Sequence, residues 1–236
     1  MRLRPYTSIL PKPLMPIGSR PVLELLLKWL RRNGIQEVFI TTGYLGNLIR
    51  SFCSDGQQWN MKIEYTQEVE PLGTIGPLSL LRDKLDQLNE PFLVLNGDVL
   101  TDLNLGQFVR THRSHGDKLT IASFVRHSKM EFGVLDETDG MLNGFREKPT
   151  LDTLVSMGIY CMNPEVMTYV PSGVPFGFDD LILQMLGQGV PVHTFKHDGI
   201  WLDIGRADDF HRAQDIEWDE QSPALSAGAA ASLSAA

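Results

Sequence analysis

Asp98 follows the apolar run Pro91-Phe-Leu-Val-Leu-Asn96 and Gly97. Such a run reads as a buried strand, and in open α/β sheets ligands bind in the crevice beyond the carboxyl ends of strands. A carboxylate there can hold Mg²⁺ through one or two oxygens while phosphate supplies others. The same residue would also serve as a plain turn cap. Asp203 interrupts the apolar stretch Gly199-Ile-Trp-Leu-Asp-Ile-Gly205. A carboxylate in partly buried surroundings is costly unless it is paired or bound to metal. Its simpler roles are a cap for the helix after Gly205 or a partner for Arg206. With Asp98 as a second carboxylate, the two are expected to approach one another and share one ion.

Lys12 lies in Pro11-Lys12-Pro13, with Pro16 close behind. Each proline fixes its own φ and pushes the preceding residue toward extended geometry. Lys12 is therefore expected on a stiff, non-helical strap, where it either meets an anion at little entropy cost or is simply solvated. Lys148 precedes Pro149 in Phe145-Arg-Glu-Lys-Pro149 and is expected to be extended and aimed in the same way. There Glu147 could accept hydroxyl hydrogen bonds from a sugar and Lys148 could pair with a phosphate. Charged loops of this kind are more often solvated. Pro71-Leu-Gly-Thr-Ile-Gly-Pro77 sits between a strand and a helix. Gly73 and Gly76 would let backbone approach a flat ligand, and the helix N-terminus favours negative charge. Read alone, it is an ordinary turn. The six histidines show no ligand spacing, and His112 and His115 read as an exposed helix face.

These residues need a scaffold that presents strand ends. Leu23, Leu26, Leu27 and Leu30 recur at helical spacing before Gly34. Strands are expected over 37–42, 62–66, 91–96 and 119–125, with helices over 46–52, 77–85 and 105–115. This alternation implies a mostly parallel sheet covered on both faces. Beyond residue 125 the rhythm changes to a hairpin near 132–145 and a strand over 155–162. A helix over 178–186, a strand over 192–195 and a last helix over 207–217 follow.

Composition bounds the function. The chain has 236 residues, 42% hydrophobic and 21% charged, which suits a globular α/β protein. No second segment has a core of its own, so residues 1–217 read as one domain and 218–236 as a disordered tail. The formal net charge of −8 argues against nucleic acid and against an anionic membrane as partner. Cys53 and Cys161 fit neither a metal spacing nor a disulfide framework and suit a reducing cytoplasm. No apolar run is long enough to span a bilayer, and the proline-rich start does not read as a signal peptide.

In this order the segments resemble the sugar-1-phosphate nucleotidyltransferase family, over about residues 2 to 217. The carrying motifs are Arg2-Leu-Arg-Pro-Tyr-Thr, Pro11-Lys12-Pro13, Pro71-Leu-Gly-Thr, Asn96-Gly-Asp98, Phe145-Arg-Glu-Lys-Pro149 and Trp201-Leu-Asp-Ile-Gly-Arg206. The last of these looks most like the mannose-1-phosphate guanylyltransferase branch. The resemblance implies a Rossmann-like nucleotidyltransferase fold, a mixed, mostly parallel sheet with helices on both faces, and Mg²⁺ as cofactor. It implies a nucleoside triphosphate and a sugar 1-phosphate as substrates, in the cytoplasm, for nucleotide-sugar supply to cell-surface polysaccharide. Base, sugar and oligomeric state stay open, a homo-oligomer included. By resemblance Asp98 and Asp203 would hold Mg²⁺, and Lys12 would neutralise the nucleotide phosphates and the attack site. Gly73 and Thr74 would border base and ribose, Glu147 and Lys148 would bind the sugar phosphate, and Arg2 would sit near the triphosphate.

The chain departs from the family in places. Ile75 stands where many members carry alanine, and Val155-Ser-Met-Gly158 replaces a more usual Asn-Ala-Gly stretch. Family members also carry an apolar strand and a glycine-rich loop just before the equivalent of Arg2, where only Met1 stands here. Two readings follow: an active nucleotidyltransferase whose start lies further upstream, or a catalytically weak homologue acting as a sugar-nucleotide-binding or regulatory subunit. The first is expected, because Lys12, Asp98, Lys148 and Asp203 are all present. Residues 1–236 should then release pyrophosphate poorly, and a form with the natural upstream codons should be active. Each missing oxyanion-type donor would be worth roughly 3 kcal/mol. Equal turnover and equal melting temperature in the two forms would contradict this.

Overall fold

A computed structural model describes residues 9–218. Arg2, and the proposed tail beyond residue 218, lie outside the described residues. The strands are β1 (Pro16–Ile17), β2 (Arg20–Pro21), β3 (Glu37–Thr42), β4 (Lys62–Gln67), β5 (Phe92–Leu95), β6 (Val99–Thr101), β7 (Leu119–Lys129), β8 (Val134–Thr138), β9 (Met141–Arg146), β10 (Thr150–Met162), β11 (Val192–His197) and β12 (Trp201–Asp203). The helices are α1 (Val22–Arg32), α2 (Gly46–Cys53), α3 (Arg82–Leu85), α4 (Leu105–His115), α5 (Phe178–Gly187) and α6 (Ala207–Gln214). Short 3₁₀ turns cover Lys12–Leu14, Gln57–Trp59, Gly76–Leu81 and Pro164–Tyr169.

The central sheet runs β11-β7-β10-β5. β11 is parallel to β7, and β10 is antiparallel to both β7 and β5. Three of its four strands therefore point one way, and β10 runs against them. This is the α/β fold, with a mixed sheet and helices on both faces, that the sequence implies. β3 and β4 form a separate parallel pair. Among the described residues, β5 pairs only with β10 and β3 only with β4.

Alternate residues of each strand serve opposite faces, as the period of two requires. Met157, Ile159 and Cys161 of β10 enter a core with α1, α2, α4 and β12, whereas Tyr160 and Met162 enter a second core with α3 and α5. β5 divides likewise, with Leu93 and Leu95 toward the first core and Phe92 and Val94 toward the second. Trp218, assigned from sequence to the tail, is buried in the first core, and its indole N–H donates to the Ala213 carbonyl at 2.9 Å.

Several elements differ from expectation. β7 and β10 continue past the sheet as a two-stranded ribbon, paired from Thr150↔Lys129 to Leu154↔Val125. Because β10 opposes β5, this ribbon projects from the carboxyl edge of β5. β8 and β9 form a hairpin closed at Asp139-Gly140, a favoured two-residue connection. His112 is not on an exposed face: it is 1% exposed. It continues the inward stripe Leu105, Phe108 and Val109 at helical spacing, and its ring nitrogens meet Thr120 Oγ1 at 2.8 Å and Asn163 Oδ1 at 3.2 Å. Burial holds its pKa below the usual histidine value. Both cysteines are buried, and desolvation pushes each thiol up to about 12, so neither is a ready nucleophile.

Ile159 is fully buried where β10 lies between β5 and β7. Ile159→Ala should cost ~2–5 kcal/mol of unfolding free energy, the usual range for such a truncation. Urea titration with an unchanged slope checks this, and a cost under ~1 kcal/mol would contradict the packing described.

Candidate active site

Asp98 and Asp203 are brought together by a short antiparallel pairing. β12 pairs with β6 in the register Asp203↔Val99, Leu202↔Leu100 and Trp201↔Thr101. The Ile204 N–H donates to the Asp98 carbonyl at 2.9 Å, extending the ladder to the aspartate itself. The start of β12 is tied down by Asp102. Its Oδ1 accepts the Ile200 N–H at 2.6 Å and lies 2.8 Å from His197 Nε2. Thr101 Oγ1 donates to the Ile200 carbonyl at 2.7 Å. These contacts fix both aspartates on backbone rather than on a free loop.

Lys12 reaches the same place from the opposite end of the chain. Its Nζ lies 3.6 Å from Asp98 Oδ2. The strap is not wholly extended as expected: Lys12–Leu14 forms one 3₁₀ turn between extended Pro11 and Met15. Pro13 sits in the first turn, where its missing N–H costs nothing, and the Leu14 N–H closes on the Pro11 carbonyl at 2.8 Å. A Cβ placed on Gly205 would lie 2.9 Å from Asp203 Oδ1, 3.4 Å from Lys12 Nζ and 3.5 Å from Asp98 Oδ2. The three charged groups therefore surround one small volume, with the two carboxylates well under ~10 Å apart, within reach of a single small cation.

Burial raises the Asp98 carboxyl above the usual carboxylate range, with Lys12 pulling it back and Asp203 pushing it further up. Asp203 is oriented from below. Its Oδ1 accepts the Gly205 N–H at 2.8 Å, and its own N–H donates to Asp209 Oδ2 at 3.0 Å. Arg206 does not pair with the Asp203 side chain. Its N–H instead donates to the Asp203 carbonyl at 2.9 Å. Asp209 is 1% exposed and grips the Arg126 guanidinium with both oxygens, one at 2.9 Å. Burial alone would raise the Asp209 pKa, but Arg126 and the Asp203 N–H hold it low. Arg126 also lies over the Trp201 ring at 4.4 Å. Sequence reasoning missed this pair. Asp209 reads as a first-turn acid of α6, and nothing near Arg126 in sequence points to it.

The segment 156–158 packs against the turn that carries Asp98. β10 shifts register between Ser156 and Tyr160, and Gly158 takes φ +71°. A Cβ there would lie 2.4 Å from Asn96 Nδ2, so the close approach requires glycine. The Asn96 N–H donates to the Gly158 carbonyl at 2.9 Å, tying this bulge to the turn that carries Asp98.

The remaining predicted residues lie apart from this trio. Gly73 has φ +81° and abuts the backbone of Phe176, where a Cβ would come within 2.6 Å of a carbonyl. Thr74 Oγ1 accepts the Phe178 N–H at 2.9 Å and so caps α5, which gives that hydroxyl a structural partner. Both residues are exposed at their outer faces. Glu147 and Lys148 are exposed in the link from β9 to β10, with Lys148 Nζ 3.8 Å from Glu147 Oε1. Lys148 is not extended: its φ is +42°, because the chain must reverse sharply there to enter β10. No contact joins these two to Lys12, Asp98 or Asp203 among the described residues, although the ribbon that bears them projects from the same edge of the sheet.

Since the folded chain holds the Asp98 proton more tightly than the unfolded chain, stability from this group is greatest at low pH. It falls as pH rises through the raised folded value. Asp98→Asn removes the buried charge. In EDTA the variant should melt above the wild type near neutral pH, and the difference should close on acidification. Melting curves across pH read this directly, and a variant that melts several degrees lower at neutral pH would contradict it.

Comparison with known proteins identifies relatives of this chain. A sequence profile of the family described as Nucleotidyl transferase matches residues 1–219. The chain is 33% identical over 229 residues to a UTP--glucose-1-phosphate uridylyltransferase of Synechocystis sp., covering 90% of this chain and 59% of that protein. It is 33% identical over 215 residues to mannose-1-phosphate guanylyltransferase 1 of Arabidopsis thaliana, covering 89% and 59%. It thus spans about three-fifths of the length of these relatives. The fold matches the crystal structure of HddC from Yersinia pseudotuberculosis complexed with GMP-PN, with TM-score 0.70 and 23% identity, covering 91% of this chain and 93% of that one. With a profile match over residues 1–219, the chain belongs to the nucleotidyl transferase family, and the two relatives named above are by name sugar-1-phosphate nucleotidyltransferases.

Proposed function

We propose that this chain transfers a nucleotidyl group from a nucleoside triphosphate to a sugar 1-phosphate, giving a nucleotide-sugar and pyrophosphate. The carrying observation is the convergence of Lys12, Asp98 and Asp203 beside Gly205. In the reaction a sugar 1-phosphate oxygen forms a bond to the α-phosphorus, the bond to the β-phosphate oxygen breaks, and the electron pair leaves with pyrophosphate. Such transfer depends on holding the reacting groups in line and on neutralising charge.

The donor set fits Mg²⁺. Two carboxylates offer hard oxygens around one small volume, and desolvation of Asp98 carries a cost that a cation would offset. Asp98 and Asp203 would hold the ion, which supplies charge neutralisation to the phosphates. Lys12 brings a second positive charge to the same volume, where negative charge builds up as pyrophosphate departs. The Arg126–Asp209 pair keeps the Asp203 backbone in place. Gly73 and Thr74 border base and ribose in this reading, and Glu147 and Lys148 take the sugar phosphate when the β7–β10 ribbon lies over the site. The sequence similarity favours glucose or mannose as the sugar type.

Pyrophosphate release is the readout, from UTP or GTP with glucose or mannose 1-phosphate and Mg²⁺, in whichever form of the chain turns over faster. Lys12→Ala and Asp98→Asn should each lower kcat by ~10²-fold or more, as loss of transition-state charge stabilisation does. Lys148→Ala should mainly raise KM for the sugar phosphate. Wild-type turnover in both Lys12→Ala and Asp98→Asn would overturn the proposal.

A further inference from the structure

We propose that His115, Asp117 and His193 form a transition-metal site suited to Zn²⁺, separate from the carboxylate pair at Asp98. It stands independently of the function proposed above. β7 starts at Leu119, opposite Met162, and Met162 is opposite Phe92 at the start of β5. Asp117 therefore lies at the amino-terminal edge of the sheet, and Asp98 lies beyond its carboxyl edge.

One ligand atom from each residue converges. His193 Nδ1 touches Asp117 Oδ2, His115 Nδ1 lies 3.7 Å from that oxygen, and all three atoms fall within 4.8 Å of one another. The two imidazole rings lie 4.5 Å apart, centroid to centroid. The Asp117 side chain is 4% exposed, and its Oδ2 meets these two imidazoles without accepting a hydrogen bond. A buried carboxylate oxygen in that state costs several kcal/mol unless a cation meets it. Two other buried side-chain polar atoms lack partners among the described residues, Arg32 Nη1 and Thr66 Oγ1. Neither belongs to a cluster of ligand groups.

The surroundings favour a cation. His115 occupies the last turn of α4, where the helix dipole is negative. Asp117 is held from behind: its carbonyl accepts Asn163 Nδ2 at 2.9 Å, and Asn163 Oδ1 lies 3.2 Å from the buried His112. This contact fixes the backbone that carries the Asp117 side chain. Around a tetrahedral Zn²⁺ with bonds of about 2.0–2.1 Å, ligand atoms sit roughly 3.3 Å apart. Small rotations of the half-exposed His115 and His193 rings reach that spacing and leave a fourth position for water. Two imidazoles with one carboxylate select Zn²⁺ or Co²⁺ over Mg²⁺, which prefers oxygen. Bound metal would clamp the end of α4 to the start of β11.

The test uses Co²⁺ and Zn²⁺ on chain stripped with EDTA. With excess Mg²⁺ present, Co²⁺ should give visible tetrahedral bands that saturate at one per chain, and Zn²⁺ should abolish them. Zn²⁺ should raise the melting temperature, as binding to the folded state requires. His115→Ala and His193→Ala, both at half-exposed side chains, should each weaken Co²⁺ binding at least ~10-fold. His127→Ala, which removes the exposed His127–Asp152 pair, should leave binding unchanged. Absence of Co²⁺ bands in the wild type, or wild-type affinity in both His115→Ala and His193→Ala, would reduce the cluster to an ion pair and overturn the proposal.

Discussion

The antiparallel pairing of β6 with β12 is the constraint on which the candidate site depends. These strands are three residues each, and they come from parts of the chain about a hundred residues apart. Their register sets Asp203 beside Asp98, and the Ile204-to-Asp98 backbone bond leaves no freedom to slip by one residue. A one-residue slip would turn every side chain to the other face and separate the carboxylates. Everything around the pair serves that register: Asp102 anchors the entry to β12, α6 and its Asp209 hold the exit, and the Gly158 bulge fixes the turn that leads into β6.

Placing two carboxylates and a lysine in one partly buried volume works against stability. Desolvation of Asp98 outweighs its pairing with Lys12, since its pKa is raised rather than lowered. The rest of the structure offsets this with two large apolar cores and with a fully satisfied ion pair, Arg126–Asp209, under Asp203. The two acids near this site, buried Asp209 and half-buried Asp98, thus have opposite characters. Asp209 is matched by a guanidinium fork and is structural. Asp98 is left short of positive charge, and the function proposed above supplies that charge with a cation.

Much of this was legible in the sequence. The strand-end position of Asp98, the intrusion of Asp203 into apolar surroundings and the proline-flanked Lys12 each follow from local pattern, and the three meet. The α/β rhythm was readable because periodicity and glycine stops are local signals. Local pattern could not show β6, whose three residues are too few to mark a strand until β12 pairs with them. It could not show Arg126–Asp209, a contact across 83 positions. His112 looked like a surface histidine because its type outweighed its place on the buried stripe of α4. Lys148 looked extended because the rule for residues before proline is statistical, and a sharp chain reversal overrides it here. The convergence of His115, Asp117 and His193 was invisible for the same reason as β6: tertiary pairing, not spacing, brings them together.

Crystals soaked in Mn²⁺ and measured at its absorption edge test the account most directly. An anomalous peak within bonding distance of both Asp98 and Asp203, near 2.1–2.2 Å from an oxygen of each, and adjacent to Gly205, is the predicted result. A peak bound to only one of these carboxylates, or no peak between them in a well-ordered crystal, would contradict the claim that the β6–β12 register exists to present a two-carboxylate cation site.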